Sequence, residues 1–388
     1  MREIYLDNSA TTPLLPAVKE RMCEVMEHYG NPSSLHAKGN DAHEILERAR
    51  RQVGEGFGVR RPEPGEILFT SCGSESDNLA ILGCAYAKPR RKGGKILTTD
   101  SEHAAVENTM RRLEAEGFEV ARIRTVGGVL DMEQFRAELN PRVFLVSMMM
   151  VNNETGAMYD LKSAFGAAKR YNPDIVTHTD AVQGFLKCRF APKSIGADLV
   201  TVSAHKIHGP KGVGALWVSA DARRRRDIVP WLIGGGQEAG FRSGTENLIG
   251  IAGFGEAVQE GLRTMAEDIE HLRRLRELAI ERLQTLSVRM NLPKGATAPH
   301  VLNLTLPGIR SETMLHALSQ RGIYISNGSA CSSHSKNPSS ALMAFGLSEA
   351  ETEASIRISF SRFNTEEDVL ELESALRECI ETLVRAKR

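Results

Sequence analysis

What the chain lacks narrows it first. Its 49 Lys and Arg balance 49 Asp and Glu, so no long-range field draws it to nucleic acid or to an anionic membrane. Two short basic runs, residues 90–92 and 223–226, have no interleaved aromatics and read as solvated faces. The longest strongly apolar stretch, residues 143–151, is far too short to span a bilayer. The opening residues show neither a signal-peptide core nor transit-peptide character, so a soluble cytoplasmic protein is expected. The six cysteines (Cys23, Cys72, Cys84, Cys188, Cys331 and Cys379) are scattered, with no pair at metal-ligand or Cys-x-x-Cys spacing. That predicts reduced thiols, with no metal centre and no disulfide framework.

What is present is an alternation. Apolar runs at 67–70, 95–99, 143–151, 175–179 and 199–202 are separated by helical patterns, which predicts an α/β domain around a largely parallel sheet. A polar set follows each run: Gly73 and Ser74; Glu102 and His103; Asn152, Asn153 and Glu154; Asp180 and Gln183; Ser203, His205 and Lys206. In an open parallel sheet these strand ends share one edge, where ligands bind. Residues 228–250, rich in glycine and polar groups, suit an active-site or subunit-contact loop. From about residue 251 a long amphipathic pattern bridges to a smaller α/β domain. That domain is read as strand 300–306, helix 313–320, strands 323–326 and 356–360, and a closing helix from Thr365, with Asp368 completing a capping box.

Some of these segments have a chemical reading. Strand, Gly73-Ser74, then helix gathers unpaired N–H groups and the positive helix end, which suits a phosphate; Ser74 with Asp77 reads equally well as a capping box. Asp180 could hold a proton on a pyridinium nitrogen, or simply cap the next turn. Lys206 ends an apolar strand, and burial there would free part of its amine to attack a carbonyl, as a Schiff-base lysine must. Pyridoxal phosphate (PLP) is the commonest cofactor to use one, although a lone lysine in a glycine-rich turn is usually surface, as Lys211 reads. Cys331 stands in a small, polar stretch, 327–338, that offers no core to bury it, so its thiol is expected to be available.

Taken together, three segments carry a resemblance: Tyr5-Leu6-Asp7-Asn8-Ser9-Ala10-Thr11-Thr12-Pro13, Ser203-Ala204-His205-Lys206-Ile207-His208-Gly209-Pro210-Lys211-Gly212 and Gly328-Ser329-Ala330-Cys331. In this order they resemble the NifS/IscS-like cysteine desulfurases, PLP enzymes of fold type I (aspartate aminotransferase-like), over essentially the whole chain. The resemblance implies a large PLP-binding domain at 14–255. Residues 1–13 and 256–388 would form the small domain, carrying a mobile cysteine loop near 327–340. It implies PLP on Lys206, Asp180 at the ring nitrogen, Gln183 and Asn153 on the O3′ side and His103 stacked on the ring. Gly73, Ser74, Ser203 and His205 would hold the phosphate, with Thr245 reaching across from the partner of a homodimer. Arg357 would take the substrate carboxylate.

The implied reaction converts L-cysteine to L-alanine and leaves a persulfide on Cys331 for a sulfur-acceptor protein, such as an iron–sulfur scaffold or a tRNA-thiolating enzyme. His103 is the candidate base. The chain departs from the family in having Cys72-Gly73-Ser74 where Gly-Ala-Thr is usual, and in His334 and Lys336 beside the cysteine. Other readings are a selenocysteine lyase or another PLP lyase or aminotransferase. From a different class, the chain would be a non-catalytic scaffold docking sulfur acceptors.

Overall fold

The computed structural model describes residues 2–88, 93–327 and 338–385. Strand β1 (Ile4–Tyr5) opens the chain and belongs to the second half of the molecule. The main sheet contains β2 (Ile67–Thr70), β3 (Lys95–Thr99), β4 (Glu119–Ile123), β5 (Val143–Ser147), β6 (Val176–Asp180), β7 (Leu199–Ser203) and β8 (Gly214–Val218). Their order is β2-β8-β7-β6-β5-β3-β4, and β8 alone runs antiparallel to its neighbours.

Most of these strands are buried on both faces, which is why they read as continuous apolar runs. Alternate residues still serve different cores. Ile67 and Phe69 pack with the helices Pro16–Met26, Ala37–Gly56 and Leu248–Leu283, while Leu68 joins Leu79, Leu82, Val106 and Met110 of the helices Gly73–Tyr86 and Ala104–Ala115. The run at 143–151 leaves regular strand after Ser147. Met148 and Met150 still donate to the carbonyls of His178 and Asp180 (3.0 and 2.8 Å), which carries the chain to Asn153.

The second half is an antiparallel sheet, β12-β13-β10-β9, formed by β9 (Arg289–Met290), β10 (Val301–Thr305), β12 (Ser326–Asn327) and β13 (Ser355–Ser359). Strand β11 (Ile323–Tyr324) instead pairs with β1, so the run at 323–326 divides between two sheets. The closing helix Glu366–Arg385 carries the expected capping box: Thr365 N–H donates to Asp368 Oδ2 (3.0 Å) and Asp368 N–H to Thr365 Oγ1 (3.3 Å). The helix Leu248–Leu283 enters both cores, giving Ile251, Phe254 and Val258 to the first and Leu272, Leu275 and Leu283 to the second. Among the described residues, no helix is long and apolar enough to cross a membrane.

Candidate active site

The carboxyl ends of β2, β3, β5, β6 and β7 point to one edge, and a cavity of about 340 Å³ opens there. Gly73, Ser74, His103, Asn153, Asp180, Gln183, Ser203, His205 and Lys206 all line it, and β13 adds Arg357 from the small sheet. Thr245 is exposed and does not line this chain's cavity. Cys331, His334 and Lys336 lie outside the described residues.

Lys206 ends the short turn after β7. Its Nζ donates to the carbonyls of Ser9 and Ala10 at 2.6 and 2.8 Å. The opening segment is thus part of the site, joined through Thr12 as well, whose N–H and hydroxyl both bond the His205 carbonyl (2.9 Å each). His205 Nδ1 meets Thr11 Oγ1 at 3.2 Å, and burial, followed by the cations Lys206, Lys187 and Lys211, pushes the imidazole down to about 4. It is therefore neutral near pH 7.

Buried acidic groups lie at and behind the cavity wall. Asp180 is 7% exposed; burial raises its pKa, opposed by His103, the Val182 N–H and Lys206. Its Oδ1 accepts that N–H at 2.8 Å, so the turn-capping reading holds alongside the placement in the cavity. Burial first, then the Asp180 charge, lifts buried Asp77 well above the usual carboxylate range. Ser74 and Asp77 form no capping box, because the helix Gly73–Tyr86 starts from Cys72 without a side-chain cap. Glu102 is pushed up to about 8 by burial, while its Oε1 accepts from Thr99 Oγ1 (2.6 Å) and Met149 N–H (2.9 Å). Behind them His178 lies between Ser147 Oγ (2.8 Å) and Thr201 Oγ1 (3.0 Å), held neutral by burial, which lowers it to about 3.

These residues fit PLP on structural grounds. Ser203 Oγ is buried and has no hydrogen-bond partner among the described residues, a deficit of ~1–3 kcal/mol that a phosphate oxygen would remove. It lines the cavity with Gly73, the first residue of a 14-residue helix whose N-terminal N–H groups favour an anion. The buried Asp180 carboxyl gains a counter-charge if a pyridine nitrogen beside it keeps a proton.

Two further groups complete the site. Arg357, 1% exposed, donates from Nη2 to Asp7 Oδ1 (2.8 Å) and from Nη1 to the Asn153 carbonyl (3.0 Å), while its Nε has no acceptor among the described residues. His103 caps the helix Ala104–Ala115 by accepting the Ala105 N–H on Nδ1 at 3.1 Å. A neutral ring in that pose carries its proton on Nε2, so it acts first as a donor and becomes a base only by releasing the cap. Sequence reasoning missed Asp7, Ser9 and Ala10 as working parts, as well as His178, Lys187 and His300, and it placed Glu102 at a strand end and Asp77 in a cap without seeing that both are buried acids. Burial of Asp77, Glu102, His178 and His300 depends on the tertiary fold and leaves no local signal.

A PLP-sized cavity at a parallel-sheet edge, with a lysine, a buried carboxyl and an anion cup, defines a fold-type-I site. Residues 4–372 match the family described as aminotransferase class-V, and the chain belongs to that family, whose members use PLP. Within it the chain groups with the cysteine desulfurases. It is 42% identical over 372 residues to cysteine desulfurase IscS of Stutzerimonas stutzeri (strain A1501), covering 94% of this chain and 90% of that protein. Among solved structures, a NifS-like protein superposes with TM-score 0.89 at 35% identity, covering 99% of this chain and all of that one. SspA in complex with cysteine superposes with TM-score 0.78 at 33% identity, covering 93% of this chain and 100% of that one.

Proposed function

We propose that the chain takes sulfur from L-cysteine, releases L-alanine and keeps the sulfur as a persulfide on Cys331 for an acceptor protein. The balance is L-cysteine plus the Cys331 thiol giving L-alanine plus the Cys331 persulfide. The observation that supports it most is the convergence of Lys206, buried Asp180, the unpartnered Ser203 hydroxyl and Arg357 on one cavity in a chain related to desulfurases.

PLP bound at Lys206 would supply an electron sink for negative charge at the substrate Cα. Asp180 would keep a proton on the ring nitrogen, and Gln183 and Asn153 would serve the ring oxygen. Ser203, His205, Ser74 and the N–H groups at Gly73 would hold the phosphate. Arg357 has an uncommitted Nε for the substrate carboxylate, and its Nη bonds to Asp7 and Asn153 fix its plane. The Lys206 amine removes the Cα proton and later returns one. His103 would donate a hydrogen bond from Nε2 to the substrate sulfur; on releasing the Ala105 N–H, its Nδ1 would take the proton of the Cys331 thiol and pass it on to the alanine formed.

The same reading makes the protein a cytoplasmic homodimer in which Thr245 serves the other copy's phosphate. Support comes from an apolar surface beside Thr245: Trp231, Leu232 and Ile233 are 41, 45 and 86% exposed, and Leu232 pairs with Arg242. The acceptor is a sulfur-receiving protein of iron–sulfur assembly or tRNA thiolation. The test is reconstitution with PLP and assay of alanine from L-cysteine. Native protein is expected to show cofactor absorption and alanine release, and Lys206→Ala to lose both. Undiminished alanine release by Lys206→Ala would overturn the assignment.

A further inference from the structure

Gln183 is gripped from behind by two donors, the fully buried His300 and the half-buried Lys187, that the proposed reaction leaves without a task. Its Oε1 accepts from Lys187 Nζ (3.3 Å) and meets His300 Nε2 (3.3 Å), while its own Nε2 donates to the Ser9 carbonyl (2.9 Å). The Ser9 carbonyl also receives Lys206 Nζ at 2.6 Å, so the amide N–H edge and the lysine share one acceptor.

The chemistry of the two donors fixes the direction of each bond. His300 is fully buried and Lys187, Arg357 and Arg276 add to the burial that holds it neutral, so its ring carries a single proton. The Ser9 carbonyl can only accept, so the amide end facing it is N–H and the oxygen faces His300; the single imidazole proton therefore sits on Nε2, and Nδ1 has no partner among the described residues. Lys187 forms no ion pair with a carboxylate among the described residues, and burial, aided by Lys206, pushes its amine down to about 7. Protonated or neutral, it still offers N–H to Gln183. A side-chain amide has one acceptor end and one donor end. Two donors on Oε1 therefore leave only one orientation, with the N–H edge toward Ser9 and the cavity.

We propose that Lys187 and His300 are positioning residues that lock the Gln183 carboxamide so that it presents N–H, not oxygen, to the ring oxyanion of bound PLP. This rests on the reading of the cavity as a PLP site. A flipped amide would set its oxygen against that oxyanion and weaken binding instead of supporting it. Retaining a lysine whose charge is disfavoured by desolvation beside a neutral partner then has a purpose.

The test compares native protein, Lys187→Met, Lys187→Arg, Gln183→Leu and the Lys187→Met/Gln183→Leu double variant. Each is stripped of cofactor, and its PLP dissociation constant and bound-cofactor absorption spectrum at one fixed pH are measured. Lys187→Met is expected to bind PLP about tenfold more weakly and to change the ratio of the absorption bands. Lys187→Arg should restore both, since Lys187 borders cavities of about 40 and 270 Å³ with room for the larger donor. In the Gln183→Leu background, Lys187→Met should add nothing. His300→Phe, read in the same two assays, carries the test if Lys187→Met does not fold. Native affinity and spectrum in the Lys187 and His300 variants, or an equal Lys187→Met effect in both backgrounds, would overturn the inference. Native protein showing no Lys206-dependent cofactor absorption would instead overturn the PLP reading itself, and this inference with it.

Discussion

Arg357 holds two partners and has a third donor to spare, and this makes its role measurable. Arg357→Lys would keep a charge beside Asp7 but lose the planar fork and the buried Nε donor. A shorter side chain with all its donors on one nitrogen cannot span the carboxylate, Asp7 and Asn153 as the guanidinium does, so this substitution is expected to raise KM for L-cysteine by ~10–100-fold with a smaller change in kcat. An unchanged KM would remove Arg357 from substrate binding. Glu102 supports a stability prediction. Its folded pKa of about 8 lies above the ordinary value of 4.5, so the folded chain keeps a proton that the unfolded chain releases. That contribution is complete below the ordinary value and drains away as pH rises through the folded one. Glu102→Gln keeps an acceptor for Thr99 and Met149 and cannot ionise, so the melting temperature of the cofactor-free chain should fall less between about pH 5 and pH 8.5. Parallel curves for native and variant would contradict the buried-acid account. At this scale Lys206, Asp180, Gln183 and Ser203 were legible because each follows an apolar run. Lys187 and His300 were not, because nothing local marks which polar side chains tertiary packing will bring against Gln183.

The elements matter through their ends. Gly73 begins the helix Gly73–Tyr86, and a Cβ there would come within 2.9 Å of Val182 Cγ2, on the turn that follows Asp180. Gly73→Ala therefore forces Val182 or the helix start, where the proposed phosphate site lies, to shift. It is expected to cost ~1 kcal/mol or more of stability and to weaken PLP binding about tenfold, read by thermal melting and cofactor titration. Native PLP affinity in that variant would place the phosphate elsewhere. The turn after Lys206 is held just as firmly: His208 lies at φ +66°, an uncommon region for histidine, with its N–H on Thr12 Oγ1 (2.8 Å) and its Nδ1 against the Pro13 carbonyl (2.9 Å). The strands buried on both faces could be read from composition alone. Edge strand β4 could not, since Glu119, Val120, Ala121 and Arg122 are all half-exposed and carry no apolar run. Nor could the reversal of β8, because apolar content says nothing of direction.

At the scale of the molecule the site is a junction. Lys206 and Asp180 come from the main sheet, Arg357 from the small one, and the first residues of the chain lie between them, with Asp7 bridged to Ser359 and Ser9 bonded to Lys206. The helix Leu248–Leu283 ties the two cores into one frame. Replacing exposed Trp231 and Ile233 together by Glu should yield monomers by sedimentation that retain PLP poorly, if Thr245 acts across the interface; a tightly PLP-loaded monomer would refute that arrangement. The central claim is sulfur transfer through Cys331, and intact mass after brief exposure to L-cysteine tests it most directly. The native chain is expected to gain one sulfur atom that Cys331→Ala does not gain. Alanine release by PLP-loaded native protein with no added sulfur on Cys331 would contradict the account and favour a lyase that lets its sulfur go.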